Sequence, residues 1–253
     1  MDAPAERAVD FQSAGAWFET APWVALLVRR FAHSRHFPAS AISAIAVLAA
    51  HITMEHWKEL GESIPQRLRQ QLDFILEIDR LKSVLRRSYL VGADRKENSA
   101  EHSWHLAVAA MVLSEHAKDK IDLGRVIRLV LVHDLVEIDA GDTFIYDDTA
   151  NLDKAAREQA AANRIFGLLP EEQATKFMGF WREFEDRKSP EAKFAFALDR
   201  LMPILHNVFT GGRSWKEHGI RQAQALAKNR PIEDGAPALW QAVESLIKQT
   251  LAE

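Results

Sequence analysis

Two imidazoles and three carboxylates, His102, His133, Asp134, Glu137 and Asp199, stand on stretches that otherwise read as apolar helix. His133-Asp134 follows the run Leu129-Val130-Leu131-Val132, where an ionised carboxylate is costly unless it is paired or bound to a metal. Glu137 lies four residues after His133, on the same helical face one turn along. Asp199 has Ala195, Phe196, Met202 and Pro203 as its neighbours at three and four residues, so it too asks for a cation. Imidazole nitrogens and carboxylate oxygens together suit one hard-to-borderline divalent ion, Mn, Co, Zn or Mg. Four such ligands leave room on a six-coordinate ion for water, and the ion acidifies that water.

The elements that must carry these residues are helical. Phe74, Ile78, Leu81 and Leu85 recur at helical spacing and predict a helix over 68–87. Asn98 with Glu101 three residues on reads as a capping box opening a helix to about Ala117. Asp122 caps a nearly all-apolar helix from Leu123 to about Ile138, the kind buried inside a bundle. Residues 141–151 form a polar loop, and a charged helix follows over about 152–166. Pro170 and Pro190, the latter behind Ser189, mark two further helix starts, with ends near Lys188 and Val208. Gly211-Gly212 breaks the chain before a helix over about 215–228, and Pro237 opens the last one. No convincing strand and no repeat is visible. The fold class is all-α, with about ten helices.

Composition narrows the functional classes. The chain has 253 residues, and 32 Lys+Arg against 36 Asp+Glu give a net charge of −4, so no global basic field favours a nucleic-acid polymer. With no cysteine, thiol nucleophiles and Cys-type zinc sites are excluded, and a metal must be held by the ten histidines and the carboxylates. The acidic start of the chain lacks a signal peptide's basic region, and the most apolar window, residues 41–52, is too short to span a membrane. A cytoplasmic protein without membrane contact is expected. Residues 1–66, punctuated by Pro22, Pro38 and Pro65, read as an N-terminal helical extension packed on a main domain over 67–253. The extension holds His33, His36, His51 and His56 without a ligand pattern.

The order His … His-Asp … Asp resembles the HD-domain metal-dependent phosphohydrolases. The strings Glu-Asn-Ser-Ala-Glu-His-Ser-Trp (97–104), His-Asp-Leu-Val-Glu (133–137), Gly-Asp-Thr (141–143) and Leu-Asp-Arg-Leu (198–201) are similar to the branch containing the 5′-deoxynucleotidases. The resemblance covers about residues 70–230 and implies an HD-domain helical bundle, a homodimer and a small phosphorylated substrate, a nucleotide. It implies His102, His133, Asp134 and Asp199 as metal ligands, Glu137 as the acidic catalytic residue and Asp142 as the group that approaches the sugar. A phosphate-binding arginine fifteen positions before the first histidine falls on Arg87. Bacterial 5′-deoxynucleotidases follow that arginine with a tryptophan that screens the sugar 2′ position. Here Ser88 stands there, followed by Tyr89, which leaves room for a ribose hydroxyl unless Tyr89 fills the space. The reaction implied is hydrolysis of nucleoside 5′-monophosphates, deoxy and ribo. The alternatives are another phosphate ester, a nucleoside triphosphate served by cations such as Arg95, Lys96 or Arg213, or a non-catalytic nucleotide-binding protein. The lack of histidine over 135–198 argues for one metal ion rather than two.

Overall fold

A computed structural model describes residues 64–252, and the expected extension over 1–66 lies almost wholly outside them. The compact unit that carries the candidate residues runs from Gln70 to Glu253. Its elements, in chain order, begin with α1 (Gln66–Ile78) and a 3₁₀ turn over Asp79–Ser83. A two-stranded sheet then precedes α2 (Ser99–Leu113) and α3 (Leu123–Val132). The chain continues through a 3₁₀ turn at His133–Val136 into α4 (Glu137–Ala140), α5 (Lys154–Phe166), α6 (Glu171–Asp186) and α7 (Pro190–Phe209). The final elements are α8 (Arg213–Glu217), α9 (Gln222–Asn229), α10 (Ile232–Gly235) and α11 (Pro237–Thr250).

The helical fold class holds, with three corrections. Strands β1 (Leu85–Tyr89) and β2 (Lys96–Asn98) form an antiparallel hairpin where the stripe predicted helix to residue 87. Leu81 is buried as that stripe requires, but Leu85 is 61% exposed, because the helix has already ended at Ile78. The single helix expected over 123–138 is interrupted by the turn at His133–Val136, and the helix expected over 215–228 is two, α8 and α9.

The caps behave as the sequence requires. The Asn98 side chain accepts from the Glu101 N–H, and the Glu101 carboxylate accepts from the Asn98 N–H, a complete capping box. Asp122 caps α3 and Ser189 caps α7, with Pro190 in the first turn. Gly235 lets α10 approach α7: a Cβ there would lie 2.2 Å from the Lys193 carbonyl oxygen.

Two apolar clusters form the core. One gathers Leu106, Leu129, Val130, Phe194, Leu198, Ile204, Trp215 and Ile247 from α2, α3, α7, α8 and α11. The other gathers Phe74, Leu81, Val132, Leu135, Val136, Ile165, Phe166 and Trp181. The turn at His133–Val136 lies between them, since Leu129 and Val130 belong to the first and Val132, Leu135 and Val136 to the second. Its position at this junction fixes where His133 and Asp134 point. Among the described residues no helix is long and apolar enough to cross a membrane.

Candidate active site

Three helical segments and one strand bring the expected residues together, and His133, Asp134, Glu137, Asp142 and Asp199 line one cavity. His102 comes from the first turn of α2, set by the capping box, and is fully buried. His133 and Asp134 come from the 3₁₀ turn, and the His133 Nδ1 lies 2.8 Å from the Val130 carbonyl. That contact commits Nδ1 as donor and leaves Nε2 to face inward as an acceptor. Asp199 sits mid-way along α7. Pro203, four residues on, removes the N–H that would have bonded its carbonyl.

The side chains converge. His102 Nε2 is 3.0 Å from Asp199 Oδ1, and His133 Nε2 is 3.8 Å from the same oxygen. His133 Nε2 is 2.9 Å from Asp134 Oδ1 yet makes no hydrogen bond, the disposition of two ligands facing one ion. Donor atoms of His102, His133 and Asp199 all lie within 4.8 Å of one another. Ligands bonded at about 2.0–2.2 Å to one ion can be up to roughly 4.4 Å apart, and the contacts to Asp199 at 3.0 and 3.8 Å fall inside that span. The residues present fit a divalent cation.

Glu137 and Asp142 complete the acidic lining. Ser99 Oγ donates to Glu137 Oε2 at 2.6 Å, which orients the carboxyl towards the cavity. Burial, and then the Asp134 carboxylate beside it, push the Glu137 carboxyl well above the usual carboxylate range. Asp134 is held down at about 2: burial opposes its charge, but His133 and Arg86 outweigh it. Gly141, at φ 73°, ends α4 in a conformation that favours glycine and turns the chain so that Asp142 faces the cluster. Arg157 ties this loop down, donating to the Ala140 carbonyl, to the Ala150 carbonyl at 3.0 Å and to Thr143 Oγ1 at 3.3 Å.

The strand brings two arginines to the cavity, on opposite faces. Arg86 and Ser88 share the inward face of β1, while Arg87 is exposed and lines the cavity at its edge. The Arg86 guanidinium donates to Asp134 Oδ2 at 2.9 Å and lies 3.7 Å from Asp142, 3.8 Å from Asp199 and 3.7 Å from Glu97. Ser88 is buried and lines the cavity. Tyr89 points away, donating to Glu217 at 3.1 Å with Arg213 stacked over its ring, so it does not fill the space beside Ser88.

Glu97 is a residue that sequence reasoning passed over. It is 1% exposed, and its Oε2 lies 3.4 Å from His102 Nδ1, 3.7 Å from Arg86 Nε and 3.7 Å from His206 Nδ1. All four atoms are buried without a hydrogen bond, so one carboxylate oxygen faces three nitrogens that have no other partner. Glu97, His105 and His206 also have the spacing of a metal-binding group. The Arg86 guanidinium beside the Glu97 carboxylate disfavours a second cation there, and the contacts suit a residue that orients His102 and Arg86 together. The only signal was a glutamate at the start of the string 97–104.

Known proteins resemble this arrangement. Residues 78–240 match the family model described as HD domain. The chain belongs to the HD-domain family. Within that family, a structure described as a predicted metal-dependent phosphohydrolase from Magnetospirillum magnetotacticum MS-1 is 46% identical. It superposes with a TM-score of 0.70 over 73% of this HD-domain chain and 93% of that one. The human 5′-deoxynucleotidase HDDC2 is 35% identical over 138 residues, which cover 54% of this chain and 66% of the human protein. The Xenopus laevis protein of the same name is 33% identical over 135 residues, again 66% of its length. The HD-domain chain thus spans slightly less than two thirds of these curated relatives.

Proposed function

We propose that this HD-domain protein is a metal-dependent phosphohydrolase that releases phosphate from nucleoside 5′-monophosphates, deoxy and ribo. The observation that carries the reading is the convergence of His133, Asp134 and Asp199 with a buried arginine on one cavity, with His102 buried against Asp199. The names of the human and frog relatives support the substrate class. His102, His133, Asp134 and Asp199 hold the ion, one of Mn, Co, Zn or Mg. A divalent ion bound there supplies Lewis acidity and an acidified water at neutral pH.

The chain's own residues do the rest. Glu137, with its raised proton affinity, accepts a proton from the attacking water and returns it to the departing sugar oxygen. Arg86, oriented by Glu97 on one side and Asp134 on the other, neutralises charge on the phosphoryl oxygens. Arg87 at the cavity edge adds a second positive charge as the phosphate enters. Asp142 accepts a hydrogen bond from the sugar, and Ser88 leaves space at its 2′ carbon. Water's oxygen joins phosphorus, the ester oxygen leaves with a proton, and the products are a nucleoside and inorganic phosphate.

The protein works in the cytoplasm as a homodimer without a membrane or nucleic-acid partner. The apolar stripe Trp104, Val108, Met111 and Val112, exposed along α2, supports the dimer, and sedimentation of the full chain tests it. The test of function is a phosphate-release screen of paired ribo- and deoxyribonucleoside monophosphates after chelation and re-addition of each metal. Release from none of them with any metal would refute the enzyme reading and favour a nucleotide-binding role.

A further inference from the structure

The cavity has a second cationic wall that the reaction above does not use. Arg187 and Arg200 both line it and both lie over the ring of Phe196, at 4.1 Å and 4.8 Å from its centroid. Two guanidinium groups on one ring repel each other, and among the described residues the carboxylate within ion-pair range of either is that of Asp199, at the limit of that range from Arg200. The Arg200 side chain is 19% exposed, its Nε is buried without a hydrogen bond, and its nearest carboxylate oxygen, Asp199 Oδ2, is 3.9 Å away. Among the described residues Arg187 has no side-chain ion pair, and it ends α6 at φ 51°, the one non-glycine residue with positive φ among them. Strain of this kind concentrates where a side chain has a task.

Arg87, at the cavity edge, already serves the first phosphate in the reading above, and the other cations nearby have partners. Lys154, on the same wall, is 3.3 Å from Glu158. Arg86 has its four carboxylates. The cations expected to serve a longer phosphate chain do not line the cavity: Arg95 pairs with Glu101, and Arg213 pairs with Asp94 and Glu217. Lys96 lies against Tyr89, outside the cavity. Partly desolvated guanidinium pairs of this kind suit the oxygens of a phosphate.

We propose that Arg187 and Arg200 form a second anion subsite, so that the substrates of this site include nucleotides with a second phosphoryl group. The inference rests on the phosphohydrolase reading. The placement favours two phosphates joined through one oxygen over phosphates at opposite ends of a sugar. Arg86 approaches one oxygen of Asp199 at 3.8 Å and Arg200 the other at 3.9 Å, so the two subsites are about one carboxylate apart. The second phosphate is a spectator. Water's oxygen still joins the phosphorus at the metal cluster, and the bridging oxygen leaves with a proton.

The experiment titrates inorganic phosphate and inorganic pyrophosphate calorimetrically into the metal-loaded full chain, wild type, Arg200→Gln and Arg187→Gln. Metal chelation in bulk is the same for all three proteins, so ratios between proteins read the subsite. A charge-assisted hydrogen bond of the usual strength corresponds to about 10- to 100-fold in affinity. Arg200→Gln is expected to weaken pyrophosphate by that factor and phosphate by at least tenfold less, with Arg187→Gln shifting the ratio in the same direction. Because Arg187 is exposed, its variant keeps the test valid if Arg200→Gln does not fold. Equal weakening of both anions, or no change in either variant, overturns the proposal. Phosphate release from deoxyadenosine 5′-diphosphate and from the 3′,5′-bisphosphate separates the arrangements. Loss confined to the 5′-diphosphate supports joined phosphates, and loss confined to the bisphosphate overturns that placement. A wild-type protein that releases phosphate from no nucleotide refutes the enzyme reading, while the binding ratio still judges the subsite.

Discussion

Replacing Arg86 with methionine tests the electrostatic logic of the site, because this guanidinium compensates several buried acids at once. In the metal-free protein Arg86 faces Asp134, Asp142, Asp199 and Glu97 at 2.9–3.8 Å, with its side chain 11% exposed. Methionine keeps the aliphatic stem and deletes the charge. Breaking one side of a buried ion pair costs about 3–5 kcal/mol. Protonation of Glu137 and Asp142, whose pKa values burial already raises, keeps the loss within that range rather than multiplying it by four. For a domain of this size each kcal/mol moves Tm by about 2–4 °C, so the chelated variant should melt about 6–20 °C below chelated wild type. A divalent ion supplies the missing positive charge. At a concentration one hundred times Kd it returns about 2.7 kcal/mol, and more in the variant if the freed Asp134 binds it more tightly. Activity should not return with stability, since loss of a donor to the phosphoryl oxygens costs about 10²–10³ in rate. The assays are thermal melts with and without chelator and steady-state phosphate release. A metal-free Tm within about 2 °C of wild type, or full activity once metal is restored, would refute the reasoning.

Glu97→Gln should lower metal affinity about 10- to 100-fold by releasing His102, without removing a ligand; an unchanged Kd measured by competitive chelation would deny Glu97 its positioning role. Glu137→Gln should retain the ion and the fold while losing about 10²–10⁴ in kcat, and loss of metal in elemental analysis would make Glu137 a ligand instead. His133→Ala and Asp134→Ala should each abolish both bound metal and phosphate release, so full metal occupancy in either would show the ligand assignment to be wrong. Ser88 leaves the sugar pocket open, so paired ribo- and deoxyribonucleotides should differ by no more than about a hundredfold in kcat/KM, and Ser88→Trp should shift the ratio towards deoxy substrates. Discrimination beyond a thousandfold in wild type would point to another gate, and Tyr89, which faces Glu217, is badly placed to be one.

Much of the scaffold was legible because its helix ends carry side-chain chemistry. Asn98 with Glu101, Asp122, and Ser189 with Pro190 each satisfy backbone groups locally, so their meaning survives without knowledge of the tertiary fold. The hairpin was not legible for the complementary reason. Leu85-Arg86-Arg87-Ser88-Tyr89 has no β-branched residue and no apolar alternation. Leu81 and Leu85 extended the stripe of α1 by accident of spacing: one is buried in the 3₁₀ turn and the other faces outward on a strand. The break in α3 at His133 was hidden because the apolar run continues through it, from Val132 to Leu135 and Val136.

The same distinction explains the arginine. Side chains one helical turn apart can be counted by threes and fours, as His133 and Glu137 are. The segment carrying the arginines is a strand, where a step of one residue exchanges the two faces. Counting fifteen residues back from His102 lands on Arg87, which lines the cavity at its edge, and the alternation of β1 also turns Arg86, with Ser88, into it. The parity of a short, polar edge strand is not written in its residue types. What sets that parity here is pairing with β2: Leu85 lies opposite Asn98, and the register shifts before Tyr89 meets Lys96. The capping asparagine therefore does two things at once. It starts the helix that carries His102 and anchors the strand register that turns Arg86 towards Asp134, which is how a local polar motif couples the histidine–carboxylate cluster to the arginine across the site.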